Sequence, residues 1–205
     1  TGSTLDTLSS LGLTAESATI IRALAIGISA SGTVAVQVTT MGNGISNHVT
    51  AAIVDSTVTT AGDVTLTATD LAPSLIPSWI VPANRSAELN SNLSGSPIDL
   101  DGNILAIMVS VAGSGTVAVN VALSGNVVTN TIAATIDNST VHSTGGKGDL
   151  EAGSKAGIIA LTIGVAGSGA VAVNATGFGN VITNTVDASI KGGSTVTAGG
   201  LAEVT

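Results

Sequence analysis

Few side chains in this 205-residue sequence could do chemistry, and they are scattered along it. His48 and His142 are the only imidazoles, the side chain most often used as a general base. Asp99, Asp101 and Asn103 offer oxygen ligands at alternate positions, the donor set that calcium takes. The later Glu of an EF-hand is missing, and a turn with Asp and Gly in favoured places accounts for the same residues. Gly145-Gly146-Lys147-Gly148-Asp149 stops one residue short of a glycine-rich calcium nonapeptide. Trp79, Arg85 and Glu88 bring together the sole Trp and two of the few long charged side chains. Trp and Arg are favoured binding anchors, so these three form a candidate ligand-binding site. Trp79 serving only to fix its own segment is the plain alternative. Thr57-x-Thr59, Thr65-x-Thr67 and Thr195-x-Thr197 put paired hydroxyls on a strand face. That is the arrangement of an ice-binding array, and also what a good strand former does.

Composition narrows the classes. Lys and Arg number 5 against 13 Asp and Glu, giving a net charge of -8, the wrong sign for a nucleic-acid binder. Aromatics are 1% of the chain, so base-stacking platforms are absent as well. Without cysteine there is no disulfide scaffold and no thiolate metal site. Apolar residues at 44% are enough to fill a core, which argues against disorder. The opening Thr1-Gly2-Ser3-Thr4 reads as a fragment or a processed product. Residues 104–128 and 157–178 are uncharged over a membrane-spanning length. Their central Gly-Ser-Gly, β-branched content and period-two alternation argue against a transmembrane helix. The missing aromatic girdles argue against a lipid-facing barrel.

The elements that must position these residues follow from repetition. Residues 31–36 (SGTVAV) recur at 114–119 and, as SGAVAV, at 168–173. The steps are 83 and 54 residues. The same steps carry Asn43 to Asn126 and Asn180, and Asn47 to Asn130 and Asn184. Three copies result, at about 20–69, 103–152 and 157–205 of a single segment spanning 1–205. The first step is longer because of a segment at 70–101, which holds all four prolines (Pro73, Pro77, Pro82, Pro97) together with Trp79, Arg85 and Glu88. Proline is excluded from central strands, so this segment leaves the regular structure as a loop-rich insertion.

Within each copy the period is two. Leu24, Ile26, Ile28, Val34, Val36 and Val38 share one parity, as do their equivalents Ile107, Val109, Val111, Val117, Val119 and Val121. Leu161, Ile163, Val165, Val171 and Val173 repeat the pattern. The opposite parity is small and uncharged, including Ala160, Ala166, Ala170 and Ala172. Binary patterning predicts the large aliphatics inward and the small face outward, open to lateral self-association. Gly167 and Gly169 predict a bend between two strands. Further strands are expected over 49–54, 57–60 and 64–69, with turns at 61–63 and 145–148. The best helix candidate, a weak one, is 4–24. Gly42-Asn43, Gly125-Asn126 and Gly179-Asn180 read as left-handed turns.

Many short strands, glycine turns, repeats and almost no aromatics suggest an all-β fold, a parallel β-helix (β-solenoid) carrying one insertion. A β-sandwich is the alternative. One 54-residue copy is expected to form two or three coils, which would set equivalent asparagines too far apart for a continuous amide ladder. At the strings SGTVAV, GSGAVAVN, STVTTAGDVTLTA and GGSTVTAGG the chain resembles the repeats of large secreted adhesins of Gram-negative bacteria. These are the filamentous-haemagglutinin-like and leukotoxin-family filamentous adhesins. The resemblance implies a right-handed helix, secretion to the bacterial cell surface, and a stalk or adhesive role. Its partners would be neighbouring repeats of its own polypeptide and a cell-surface or matrix glycan or protein.

The same register bears on catalysis. His48 aligns with Thr131, His142 with Thr59 and Thr197, and Asp55 with Asn138. A general base or carboxylate that gives way to Thr or Asn between copies reads as an exposed strand position. A non-enzymatic structural or adhesive module is therefore expected, with no cofactor unless calcium binds. A carbohydrate-binding or carbohydrate-active β-helix with a site near 70–101 is the alternative. Ice binding is a lesser one.

Overall fold

The computed structural model describes residues 1–77, 79, 80, 85, 88 and 100–205. Asp99 lies outside them. The described residues form strands laid down in successive passes. The first pass is β1 (Thr4–Thr7), β2 (Leu11–Ser17), β3 (Ile21–Ser31), β4 (Val34–Ile45) and β5 (His48–Val54). The second is β6 (Thr57–Thr60), β7 (Val64–Asp70), β8 (Ile104–Ser114), β9 (Val117–Val128) and β10 (Thr131–Asp137). The third is β11 (Thr140–Ser143), β12 (Gly148–Ser154), β13 (Ile158–Ser168), β14 (Val171–Ile182) and β15 (Thr185–Lys191). β16 (Thr195–Ala198) and β17 (Ala202–Val204) begin a fourth.

Each strand pairs in parallel with its counterpart one pass away, giving the sheet orders β1-β6-β11-β16, β17-β12-β7-β2, β13-β8-β3, β14-β9-β4 and β15-β10-β5. A β-sandwich would pair its strands antiparallel. Here the long crossover that parallel pairing demands is the remainder of the pass itself. The expected strands at 49–54, 57–60 and 64–69 are β5, β6 and β7, and the bend at Gly169 separates β13 from β14. The expected helix over 4–24 is instead β1, β2 and the start of β3. Leu11, Leu13 and Ala15 on β2 alternate inward against the core, and that period-two burial wins over helix propensity.

One copy makes one pass, not the two or three coils expected. Leu24, Ile107 and Leu161 are direct neighbours in adjacent strands. The length is consumed by two long strands per pass, of 11 and 12 residues, which run out and back. Three of the sheets, built on β1, β2 and β5, enclose an apolar core containing Val49, Ile53, Val58, Leu66, Ile132, Ile136, Val141 and Leu150. The β3 and β4 sheets stand away from that core as a two-layered fin.

The fin inverts the binary pattern. Leu24, Ile26 and Ile28 are 62–73% exposed, and Val34, Val36 and Val38 are 56–60% exposed. The small parity faces inward: Ala106, Ala112, Ala118 and Ala122 are at most 1% exposed. The reason is the close approach of the two sheets. A Cβ added at Gly27 would collide with Thr39 and Gln37 on β4, and one at Gly164 with Thr176 and Asn174 on β14. Hydrogen bonds fasten this narrow interior. Ser110 Oγ donates to Asn120 Oδ1, and Asn120 Nδ2 donates to Asn174 Oδ1 at 2.6 Å. Toward its root the fin still buries Ile45, Ile104, Met108 and Val128; farther out the inward sites are Ala, Gly, Ser and Asn, and the large side chains turn outward. At the tip, Gly32, Gly115 and Gly169 stack so closely that a Cβ on either of the last two would strike the carbonyl oxygen of the glycine one pass before.

Because copies stack directly, equivalent polar side chains form ladders. Asn43 Nδ2 donates to Asn126 Oδ1, and Asn126 Nδ2 to Asn180 Oδ1, both at 2.8 Å. These asparagines lie inside β4, β9 and β14, not at turns. Left-handed backbone occurs instead at Asp55 (φ 51°) and Asn138 (φ 46°), in one column with Gly2 and Gly192. Asn138 Nδ2 donates to Asp55 Oδ1 at 2.7 Å. Asx side chains tolerate this geometry at a turn. One residue on, a serine ladder closes each turn: the backbone N–H groups of Ser3, Ser56 and Ser139 donate to the Oγ atoms of Ser56, Ser139 and Ser194 at 3.0–3.2 Å.

Where the fin joins the core, Asp70 is fully buried. Asn130 Nδ2 donates to its Oδ2 at 2.7 Å, while Oδ1 has no hydrogen-bond partner among the described residues. The equivalent positions on β2 and β12 are Ser17 and Ser154, and Ser154 Oγ accepts from Asn184 Nδ2 at 2.8 Å.

Two outcomes follow for stability. Val117→Asp should cost under about 1.5 kcal/mol, because the side chain points out of the fin, whereas Ala118→Asp should cost more than about 4 kcal/mol through a buried unpaired charge. Urea denaturation of the two variants, at low micromolar concentration, reads the difference; equal losses would mean that the faces are misassigned. Asp70→Ser keeps the acceptor for Asn130 and removes the orphaned oxygen. Stability at pH 7 should rise by about 1–2 kcal/mol, seen as a thermal midpoint a few degrees higher. A lower midpoint would show that the carboxylate contributes more than the hydrogen bonds it accepts on Oδ2 from Asn130 and, at 3.5 Å, from Ser154 Oγ.

Candidate functional site

Among the described residues, Arg85 and Glu88 meet, and the other residues singled out by type lie apart in the fold. His48 and His142 are exposed strand positions, paired with Thr131 and with Thr59 and Thr197 respectively. Among the described residues no three His, Asp or Glu side chains come together as a metal-holding group. Asn103 is fully buried, and its side chain is already engaged. Nδ2 donates to the carbonyls of Thr19 (3.0 Å) and Leu71 (3.2 Å), and Oδ1 accepts from Gly157 N–H at 3.1 Å. It ties the second pass to the first and the third. Asp101 bridges to Ser74 in an antiparallel pair at the root of the insertion. In the glycine-rich turn, Lys147 Nζ donates to Asp149 Oδ2 at 3.0 Å, which raises the Lys147 pKa above its ordinary value. Asp149 is thereby held by a cation.

The insertion leaves at a defined point. The connector into the fin runs over 18–20 and 155–157 in the first and third passes, but over 71–103 in the second. Its two ends are zipped together: Leu75 N–H donates to Leu100 O at 2.8 Å, and Gly102 N–H to Pro73 O at 2.9 Å. Arg22 on β3 clamps this root, donating from Nε to Leu75 O at 2.8 Å and from Nη2 to Ser74 O at 2.9 Å. Leu75 is buried beneath it. Farther out, Trp79 is 83% exposed, and Arg85 meets Glu88 at 3.5 Å with both side chains mostly in solvent. A pair so exposed adds little stability.

Beside the root lies an open cleft of about 820 Å³, lined by Ala18, Leu71, Pro73, Asp101, Lys155, Gly157, Ile158 and Ile159. Its wall is apolar with one carboxylate and one ammonium. Acid–base hydrolysis of a glycoside needs two carboxylates facing each other, and among the described residues Asp101 is the only one lining this cleft. Neither Trp79 nor the Arg85–Glu88 pair lines it. The cleft can hold a small amphipathic group.

The threonines stack better than their spacing alone foretold. Thr4, Thr57, Thr140 and Thr195 form one complete outward column. The next column runs Asp6, Thr59, His142 and Thr197, so the paired-hydroxyl lattice is broken twice. On β7, Thr65 and Thr67 neighbour Gly12 and Thr14 on one side and Asp149 and Glu151 on the other.

The largest feature was hidden by the inward assignment of the aliphatic parity. The β3-β8-β13 sheet turns Leu24, Ile26, Ile28, Ile107, Val109, Val111, Leu161, Ile163 and Val165 outward. The β4-β9-β14 sheet turns out Val34, Val36, Val38, Val117, Val119, Val121, Val171 and Val173 on the opposite side. No Lys, Arg, Asp or Glu occurs in 23–45, 104–128 or 158–182. A sequence signal for this did exist: the small parity contains Ser110, Asn120, Asn126 and Asn174, polar groups that need partners and find them only inside a narrow layer.

Among the described residues no helix is long and apolar enough to cross a membrane. Compared with known proteins, the chain matches no family model, no curated protein and no solved structure.

Proposed function

We propose that this chain is a non-catalytic structural segment of a larger bacterial surface polypeptide, a right-handed β-solenoid that acts as stalk and adhesion surface. The observation that carries the reading is the unbroken pass-on-pass stacking, in which serine and asparagine ladders continue through three or four passes. Such a stack lengthens by adding passes and leaves its outward positions free to vary. His gives way to Thr, and Asp to Asn or Gly, at no cost to the ladder. The likeness of its repeat strings to secreted filamentous adhesins supports the cell surface as its location and neighbouring repeats as its first partners.

A glycan-binding role for the insertion is the second reading. What favours it is Trp79, an 83% exposed indole on a segment rooted by Arg22 and Leu75. An exposed aromatic on an anchored loop is a ready sugar platform.

The purified chain should leave a panel of polysaccharides, esters and peptides unchanged. Turnover of any member, abolished by one Asp or Glu substitution, would replace the structural reading with an enzymatic one. Removing 72–101 leaves a three-residue connector, Leu71-Gly102-Asn103, matching the other passes. This variant should keep its β circular-dichroism spectrum and lose about 1–3 kcal/mol with Leu75 and the Arg22 clamp. If a glycan array gives a hit, both this deletion and Trp79→Ala should abolish it; binding that survives both would move the adhesive surface off the insertion.

A further inference from the structure

We infer that the two aliphatic faces of the fin are a self-association surface whose occupant is the fin of a second copy of this chain. The inference does not depend on the stalk reading or on the glycan one.

Three observations carry it. The first is that these faces are outward by construction. The middle-pass residues Ile107, Val109, Val111, Val117, Val119 and Val121 stay partly exposed although a pass covers them on either side. The second is a control within the chain. Strand geometry favours β-branched residues, but Thr satisfies that preference as Val does. On the outward face of β7 the residues are Thr65, Thr67 and Thr69, whereas on the first pass of the fin the outward sites are Leu24, Ile26 and Ile28 on β3 and Val34, Val36 and Val38 on β4, with Ala30 next to the tip and Thr40, Gly42 and Gly44 farther along β4. Backbone preference therefore does not explain the apolar choice. The third is size and shape. The exposed aliphatic surface on one face is on the order of 600–800 Å², near the roughly 800 Å² that each partner buries in a stable complex. Its ridges repeat at the spacing of hydrogen-bonded strands, about 4.8 Å. A second fin carries ridges of the same spacing, so two such faces can interdigitate as two sheets do at about 10 Å.

A bilayer is the competing occupant, and the composition argues against it. Elements that settle into a lipid interface carry Trp, Tyr or basic residues at their margins. The fin has neither Trp nor Tyr, its one marginal base, Arg22, is engaged by the carbonyls of Leu75 and Ser74, no Lys or Arg occurs between 23 and 45, 104 and 128, or 158 and 182, and the chain carries -8 overall. Because both faces are apolar, association does not close at a dimer but continues as an open lateral stack.

Sedimentation of the whole chain between about 1 and 100 μM tests this. The weight-average mass should climb with concentration. Ile26→Lys, Val109→Lys and Ile163→Lys together block one face and should stop growth at dimers. Adding Val36→Lys, Val119→Lys and Val173→Lys should give monomers, with at least about a tenfold rise in the concentration needed for any association. Should a lysine set fail to fold, the cysteine-free background gives a second route. Val109→Cys and Val119→Cys, oxidised separately and mixed, should yield disulfide-linked dimers in at least one combination. No cross-link in any of them overturns the proposal. So does a mass that stays monomeric at 100 μM, or oligomers that persist unchanged with both faces blocked. Flotation of a monomeric chain with phosphatidylcholine vesicles would assign the faces to lipid instead.

Discussion

The structure depends on one constraint: every pass must present the same backbone outline to the next. A parallel strand satisfies its N–H and C=O groups only through neighbours in register. From Leu11 paired with Val64 to Ile182 paired with Val128, the pairing runs without a slip through strands of up to 12 residues. Extra length can be accommodated only where no ladder runs. The insertion accordingly departs between β7 and β8, at a connector, and its ends are drawn together by backbone hydrogen bonds before the fin begins. The left-handed turn column obeys the same rule. Gly2, Asp55, Asn138 and Gly192 differ in side chain and share a backbone conformation.

That constraint also explains the polar interior of the fin. Once passes stack, a side chain has its own equivalents directly above and below it. An amide in such a column donates to one neighbour and accepts from the other, as Asn126 does between Asn43 and Asn180. Asparagine is then an economical interior residue, fully satisfied and narrow. The two sheets draw close around these columns and around glycine at Gly27 and Gly164. Beyond the root, where Ile104 and Met108 are still buried, the same closeness leaves room only for small side chains. What looks in sequence like a hydrophobic core face is the residue class left over for the outside.

Much of this was legible in the residues. The repeat steps carry the strand register, and the interchange of His142 with Thr59 and Thr197 marks an outward position. The sidedness of β3 and β4 was not legible. Period-two alternation states that two faces differ, not which one is buried, and the usual choice of the larger hydrophobe fails where two sheets meet more closely than side chains such as leucine allow. Coil number failed for a related reason. A 54-residue copy is long for one pass, and only the out-and-back fin absorbs it. Trp79, Arg85 and Glu88 were marked as candidate binding residues by type alone. The structure leaves them exposed on the insertion, apart from the cleft that Asp101 and Lys155 line.

The inverted fin carries an energetic consequence. In an ordinary domain the largest aliphatics are buried on folding and supply most of the driving force. Here Leu24, Ile26, Ile28, Val34, Val36 and Val38 remain more than half exposed, so their transfer energy is largely unspent in the isolated chain. Stability rests on the core around Leu66, Ile132 and Ile136, on in-register backbone pairing, and on the ladders. Anything that covers the aliphatic faces binds the folded state alone, because only there are they arrayed as a surface. By linkage it must stabilise that state in proportion to the logarithm of its concentration. Apolar faces, a fin without charge beyond Arg22 at its root and a modest core thus act together: whatever covered the fin would reinforce the folding of its passes.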